Sequence, residues 1–419
     1  MSKTVALHTL GCKLNYSETS AIARHMEDAG FVQKPFSESA DVYVINTCSV
    51  TENADKECRQ LVRRIQRKAP AAMVVITGCY AQLKPEEIAS IEGVDLVLGA
   101  AEKFNIISHL SELTKGDATR ICSCDIDDVN EFHASFSLNG RTRTFLKVQD
   151  GCSYNCSFCT IPMARGKSRS NSIDKVLEDV ALIAATGVQE IVLTGINLGD
   201  YKTSSTVNES QNFFDLIQQL ETTDIPRYRI SSIEPNLLTN DIIEFVANSN
   251  KFMPHFHIPL QSGSNKILGL MRRRYRKELY VERIEFIKKL MPHCAIGVDV
   301  IVGFPGETEE DFLETCNFLT ESDISYLHVF TYSERDHTHA LTIRPVVPVE
   351  IRNQRNKILR NLSYQKMQHF TYRHIGQTRK VLFETETKSG MMEGYSDNYI
   401  KVTIPFSKEK VNTICDHTI

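Results

Sequence analysis

Thr144-Phe145-Leu146-Lys147-Val148-Gln149-Asp150-Gly151-Cys152-Ser153-Tyr154-Asn155-Cys156-Ser157-Phe158-Cys159 is the stretch on which the reading of the fold turns. A β-type run, residues 144–148, ends at a glycine and then delivers three cysteines within eight residues. Three thiolates so close together can wrap one face of a soft metal centre. A 4Fe–4S cluster ordinarily takes four Cys ligands, so three leave one iron open to another ligand. The alternatives are reduced bystander thiols or a zinc site short of one ligand, although zinc more usually shows paired Cys-x-x-Cys elements. Cys152, Cys156 and Cys159 are therefore read as cluster ligands.

Downstream, the strand-then-helix rhythm repeats. Residues 190–194, 228–232, 255–259, 295–302 and 324–330 read as strands, with helical patterns such as 172–186, 213–222 and 309–322 between them. Six or so alternations describe an open or closed β/α barrel whose first strand is 144–148. Upstream, strands at 5–10, 41–46, 73–77 and 96–98 alternate with helices at 17–29, 53–68 and 85–91, a βαβ pattern that implies a parallel sheet. In open α/β sheets ligands gather at the carboxyl ends of the strands. Gly11-Cys12, Thr47-Cys48 and Gly78-Cys79 each stand directly after one of these strands. One such cysteine would pass as a buried thiol, but three at equivalent positions read as a second metal-binding set: Cys12, Cys48 and Cys79. The polar stretch 122–139 marks a boundary. Beyond Gly376, β-rich runs at 380–385 and 398–404 suggest a small all-β barrel. The chain thus divides into domains 1–137, 138–371 and 372–419. The other six cysteines read as core or loop thiols.

Composition narrows the function classes. At 419 residues, 42% hydrophobic and 24% charged, the chain is an ordinary globular protein of two or three domains. Twelve cysteines are too few for a disulfide scaffold. No apolar run approaches the ~20 residues of a membrane span, and the N-terminus runs into a strand without a signal-peptide pattern, so a cytoplasmic protein with no membrane partner is expected. A net charge of −4 leaves nucleic-acid binding to local patches. Three exist: residues 56–68 carry six Lys/Arg and one acid, 266–289 nine against three, and 352–380 eight with no acid. In the last, aromatics interleave with the charges, as phosphate contacts and base stacking require. Arg355, Arg360 and Lys366 are expected to meet phosphates there.

The x3–x2 cysteine spacing, with Phe158 before the third cysteine, resembles the radical S-adenosylmethionine superfamily. The resemblance implies that the open iron chelates S-adenosylmethionine and that the reduced cluster splits it to a 5′-deoxyadenosyl radical. Thr9-Leu10-Gly11-Cys12-Lys13-Leu14-Asn15, Asn46-Thr47-Cys48-Ser49-Val50 and Thr77-Gly78-Cys79-Tyr80-Ala81-Gln82 look like signatures of its methylthiotransferase family. The likeness continues through His257-Ile258-Pro259-Leu260-Gln261-Ser262-Gly263-Ser264 and Gly303-Phe304-Pro305-Gly306-Glu307. It implies an N-terminal methylthiotransferase domain whose three cysteines hold an auxiliary 4Fe–4S cluster, a central radical-SAM partial barrel, and a C-terminal RNA-binding TRAM domain. That last domain is shorter here than usual, which leaves closure of its barrel open.

Gly11-Cys12-Lys13-Leu14-Asn15 resembles the branch that adds a 2-methylthio group to threonylcarbamoyladenosine beside the tRNA anticodon. The branches acting on isopentenyladenosine, or on an aspartate of a ribosomal protein, usually continue differently after that cysteine. The implied partners are a tRNA anticodon stem-loop and a reducing electron donor, with the enzyme a monomer. One departure is Asp336-His337-Thr338, where the family often has Pro-Gly-Thr; it removes no cluster ligand. For S-adenosylmethionine, the candidate contacts are Gly195 and Asn197 at the amino-acid end and Ser232 and Glu234 near ribose and sulfonium. Gln261 and Arg273 are further candidates, and Gly303 would shape the adenine slot. Strand-end glycines can also merely make turns. A different class of function, an RNA-binding iron–sulfur sensor without catalysis, fits the same ligands.

Overall fold

The computed structural model describes residues 3–48, 52–138, 142–204, 210–387 and 389–419, so Ser49 and Val50 of the second cysteine motif and Asn139 of the polar stretch lie outside the described residues. The chain forms two compact units. Met1–Leu138, Phe145–Tyr154 and Cys159–Asn171 make the first; Asn139–Thr144, Asn155–Phe158 and Ser172–Ile419 make the second.

The first unit is built on six parallel strands: β1 (Thr4–Thr9), β2 (Val32–Gln33), β3 (Val42–Thr47), β4 (Met73–Gly78), β5 (Leu96–Leu98) and β6 (Arg120–Cys122), in the order β2-β1-β3-β4-β5-β6. Helices α1 (Lys13–Asp28), α2 (Glu52–Lys68), α3 (Cys79–Leu83), α4 (Pro85–Ala89) and α5 (Ile106–Ser111) connect them. All six residues of β3 are buried, as a strand covered on both faces requires. Its alternating residues feed two cores. Tyr43 and Ile45 pack with Leu61, Val62 and Ile65 of α2; Val42 and Val44 pack with Ile22 and Met26 of α1. The strand order reverses between β1 and β3, and at such a switch point the crevice beyond the strand ends is where ligands bind. The remainder of this unit contains β7 (Ser135–Phe136) paired antiparallel with the Leu146–Lys147 end of β8 (Arg143–Lys147), β9 (Gln149–Asp150) paired antiparallel with β10 (Arg169–Ser170), and α6 (Ile161–Arg165), which packs on α3.

The second unit opens with α7 (Ile173–Ala184) and β11 (Glu190–Thr194). A hairpin of β12 (Lys202–Ser204) and β13 (Ser210–Asn212) leads into α8 (Phe213–Glu221). Then β14 (Arg227–Ile230), β15 (His255–His257), β16 (Ala295–Val302) and β17 (Tyr326–Thr331) alternate with α9 (Asn240–Asn248), α10 (Asn265–Leu270), α11 (Lys277–Leu290) and α12 (Glu309–Glu321). β11 pairs in parallel with β14, β15 with β16 and β16 with β17. Parallel bridges Tyr228–Phe252 and Ser232–His257 join the two sets into one arc of β/α repeats. Capping boxes fix two helix starts, Asn212 with Asp215 on α8 and Thr308 with Asp311 on α12. After α13 (Val349–Tyr372), strands β18 (Thr378–Glu386), β19 (Met391–Ser396), β20 (Lys401–Pro405) and β21 (Ile414–Thr418) form an antiparallel sheet in the order β20-β19-β18-β21. Val381, Phe383, Met392 and Val402 make its core. The β-rich run expected over 398–404 appears as β20 and starts later, because Tyr399 adopts a left-handed φ of 69° and turns the chain first. Among the described residues no helix is long and apolar enough to cross a membrane.

One buried charge cluster holds the first unit. Glu18 of α1 is fully buried and meets Lys103 Nζ at 2.6 Å, Lys147 Nζ at 3.1 Å and Arg165 Nη1 at 3.0 Å. Arg165 also donates to Asp150 Oδ1 at 2.9 Å. Burial alone would raise the Glu18 pKa; Arg165, Lys103 and Lys147 overturn that and hold it well below the usual carboxylate range. A carboxylate depressed on folding stabilises above its unfolded pKa of ~4.3, and the contribution fades only as pH falls through the folded value. Removing one partner of such a cluster leaves buried charge uncompensated, at a cost of about 3–5 kcal/mol. Glu18→Gln should therefore lower the urea midpoint of the first unit's unfolding at pH 7 by an amount equivalent to about 3–5 kcal/mol. Far-UV circular dichroism on anaerobic protein measures it, and an unmoved midpoint would show that the three cations need no counter-charge beyond Asp150.

Candidate functional site

Cys12, Cys48 and Cys79 follow β1, β3 and β4 and meet at the carboxyl edge of the parallel sheet. Two glycines make this approach possible. Gly11 has φ 102°, and a Cβ on it would stand 2.8 Å from Cys48 Sγ; Gly78 has φ 97°, and its Cβ would stand 2.3 Å from the Thr47 carbonyl. Asn15 then pins the strand ends: its Nδ2 donates to the Leu10 and Thr47 carbonyls, both at 2.9 Å. Its Oδ1 accepts from Arg165 Nη2 at 2.5 Å. Burial pushes the Cys79 thiol up, the Arg165 guanidinium opposes this, and the nearby Cys12 thiol adds to it. Cys48 and Cys79 are buried while Cys12 is exposed, so the set is open on one side.

The other cysteine loop begins at Gly151 (φ 70°), whose Cβ would stand 2.1 Å from the Lys167 carbonyl. In the first unit the Tyr154 amide donates to Cys152 Sγ and the Ile161 amide to Cys159 Sγ, each at 3.4 Å. In the second unit Cys156 is buried and accepts from Arg273 Nη1 at 3.1 Å. Burial raises the Cys156 thiol and Arg273 pulls it back. Arg273 is itself held by an ion pair with Glu234, and the Glu234 amide donates to Asn197 Oδ1 at 3.3 Å. Three residues named from sequence as cofactor contacts thus form one line that ends on Cys156, a cysteine of the three-thiol loop. Every thiol of this loop has an N–H donor, which is what sulfur ligated to iron uses to disperse its charge. The donor set fits an iron–sulfur cluster.

The other named residues stand apart from that line. Gly195 directly follows β11. Ser232 Oγ lies 2.7 Å from His257 Nδ1. Gln261 holds a left-handed φ of 69° and donates its amide to the Asp299 carbonyl at 2.8 Å. Gly303 donates to Glu307 Oε2 at 2.6 Å, and a Cβ there would meet the Arg352 side chain at 2.3 Å.

The third basic stretch needs correction. Arg355 is buried and paired with Glu307 at 2.6 Å and Glu309 at 2.9 Å, and Lys366 caps the Thr320 and Ser322 carbonyls at 2.7 Å. These groups lock α13 in place, so of the three only Arg360 is exposed for phosphates. Sequence reasoning also missed Arg165 and Glu18. A signal existed for Glu18, which interrupts the buried α1 stripe of Leu14, Ile22 and Met26 at the helical spacing.

Residues 4–99 match the model of "Uncharacterized protein family UPF0004", and residues 146–319 that of the radical SAM superfamily. The radical SAM match implies S-adenosylmethionine and a 4Fe–4S cluster. The chain is 39% identical over 422 residues to the threonylcarbamoyladenosine tRNA methylthiotransferase MtaB of Bacillus subtilis, covering 98% of this chain and 92% of the relative. Identity to the MtaB of Aquifex aeolicus is also 39%, over 94% of this chain and 95% of that one. It falls to 28% against the tRNA-2-methylthio-N(6)-dimethylallyladenosine synthase of Staphylococcus epidermidis, over 99% and 82%. Among solved structures, the radical S-adenosylmethionine methyltransferase TsrM of Kitasatospora setae shares the fold, with a TM-score of 0.56 at 15% identity over 79% of this chain and 75% of that one. With relatives this similar along nearly their whole length, the chain belongs to the family of threonylcarbamoyladenosine tRNA methylthiotransferases, radical SAM enzymes with an N-terminal UPF0004 domain.

Proposed function

We propose that this protein installs a 2-methylthio group on threonylcarbamoyladenosine in tRNA, using two 4Fe–4S clusters: one on Cys152, Cys156 and Cys159, the other on Cys12, Cys48 and Cys79. The adenine C2–H has no useful acidity, so no general base can open it. When bound, the two clusters and S-adenosylmethionine supply what this needs: a carbon-centred radical, and a sulfur atom within its reach. The protein's share is placement.

The observation that carries the reading lies within the first unit. Helix α6 starts two residues after Cys159 and packs on α3, which begins at Cys79. From α6, Arg165 reaches Asn15, the residue that pins the loops of Cys12 and Cys48. One guanidinium therefore ties the end of one cysteine loop to the other cysteine set. In the second unit, Glu234 and Arg273 present buried, paired charge beside Cys156, suited to the amino and carboxylate groups of S-adenosylmethionine. Gly195, Ser232, Gln261 and Gly303 stay as further candidate contacts along the strand ends. The C-terminal antiparallel sheet is the counterpart of a TRAM domain in this reading. For RNA, exposed Arg272, Arg274 and Arg276 follow α10 near Arg273.

Anaerobically reconstituted protein should hold about eight irons per chain, and the triple replacement of Cys152, Cys156 and Cys159 by Ala should leave roughly half. A wild type that holds only four ends the two-cluster assignment. Replacing Cys12, Cys48 and Cys79 by Ala should abolish methylthiolated tRNA while 5′-deoxyadenosine still forms from S-adenosylmethionine; equal loss of both would contradict the division of labour. Replacing Arg272 and Arg276 by Ala should flatten the salt dependence of tRNA binding, by about 0.9 in log–log slope for each phosphate that the protein no longer neutralises. An unchanged slope in fluorescence titrations would show that these groups face only water.

A further inference from the structure

We propose that the second unit contains a divalent-metal site, of the kind zinc takes, formed by His257, Asp299 and His328. These residues sit on three adjacent parallel strands, β15, β16 and β17. In the register Asp299 lies opposite His328, and Gly297, two residues earlier on the same face of β16, lies opposite His257. One ring nitrogen from each histidine and a carboxylate oxygen of Asp299 all lie within 4.8 Å of one another. His257 Nε2 is 2.8 Å from Asp299 Oδ1, and the two histidine rings stand edge to face with centroids 5.4 Å apart. Two imidazoles and a carboxylate are a donor set that zinc binds at about 2.0–2.2 Å, with a fourth position left for water or another oxygen ligand.

Two further features make this more than a chance meeting of polar groups. Ser232 Oγ sits 2.7 Å from His257 Nδ1. By accepting the Nδ1 proton it would turn the Nε2 lone pair toward the ion, the orienting contact that metal-bound histidines ordinarily have. The second is that one of the three donors, His328, lines a cavity of about 1030 Å³ together with Tyr326 and Tyr399, so a solvated ion can reach its ring. The rival arrangement is a plain hydrogen-bonded string: Ser232 donates to Nδ1, and Nε2–H donates to Asp299. That string is complete with Ser232, His257 and Asp299 and gives His328 no part. The metal site needs all three donors, so His328 separates the two. None of the three is a cysteine-cluster ligand, and the site stands whether or not the methylthiolation reading holds.

The test uses enzyme with its iron–sulfur clusters loaded, so that no cysteine set is left to take zinc. Protein equilibrated with Zn²⁺ and desalted is assayed for zinc and iron by elemental mass spectrometry. Wild type should retain about one zinc per chain. His328→Ala and Asp299→Asn should each weaken retention at least tenfold with iron unchanged, and Ser232→Ala should weaken it about 10–100-fold. No zinc on the wild type, or equal retention by His328→Ala, overturns the proposal. If Asp299→Asn loses its iron, His328→Ala still decides, because His328 is exposed and its variant is read by zinc retention at unchanged iron.

Discussion

A carboxylate that cannot reach water organises the N-terminal half of this protein. Glu18 projects from α1 into a space shared with Lys103, Lys147 and Arg165, residues separated by up to 147 positions in the chain. Asp150 alone would leave the three buried cations under-compensated, and Glu18 would not stay charged without them. The geometric consequence reaches the chemistry. Arg165 is held by Glu18 and Asp150, and its Nη2, which also donates to Glu18, grips Asn15. Asn15 holds the carbonyls ahead of Cys12 and Cys48. A charge cluster of stabilising character thus also fixes where two cysteine-bearing strand ends stand.

The second unit solves a related problem around Cys156. Burial disfavours a thiolate, yet the iron ligation proposed for this cysteine would demand one. Arg273 offsets the burial at 3.1 Å, and Glu234 keeps the guanidinium aimed. Asn197 braces the Glu234 backbone in turn. The Cys156–Arg273–Glu234 contacts pair charges that burial would otherwise penalise, and such pairing stiffens a site. Such rigidity suits radical chemistry, where a carbon radical must meet one hydrogen atom and no other.

Inner strands announced themselves through mostly apolar, β-branched runs: residues 96–98, 190–194 and 295–302 appear in the structure with the bounds read from sequence. The cysteines after β1, β3 and β4 were equally legible, because a parallel sheet sends every strand end to one edge. Short or polar elements were not. Strand β6 begins next to a polar stretch, α3 is little more than one turn, and β19 and β21 carry too few apolar residues to show a period. Long-range pairings stayed hidden for a different reason. Glu234 and Arg273 were both recognisable as charged strand-end or loop groups, but nothing local says that they bind each other. The run 352–380 misled because a count of positive charges ignores acids contributed from elsewhere in the chain. Glu307, Glu309 and Glu334 neutralise Arg355 and Arg352 from outside it.

The family assignment rests on identity along the whole chain, and the substrate on the names of the relatives. Both converge on one modified nucleoside. Mass spectrometry of nucleosides from the tRNA of cells lacking this protein tests that claim most directly. The account predicts that 2-methylthio-threonylcarbamoyladenosine disappears while threonylcarbamoyladenosine accumulates, and that methylthiolated isopentenyladenosine is untouched. An unchanged level of the methylthiolated threonylcarbamoyl nucleoside would contradict it.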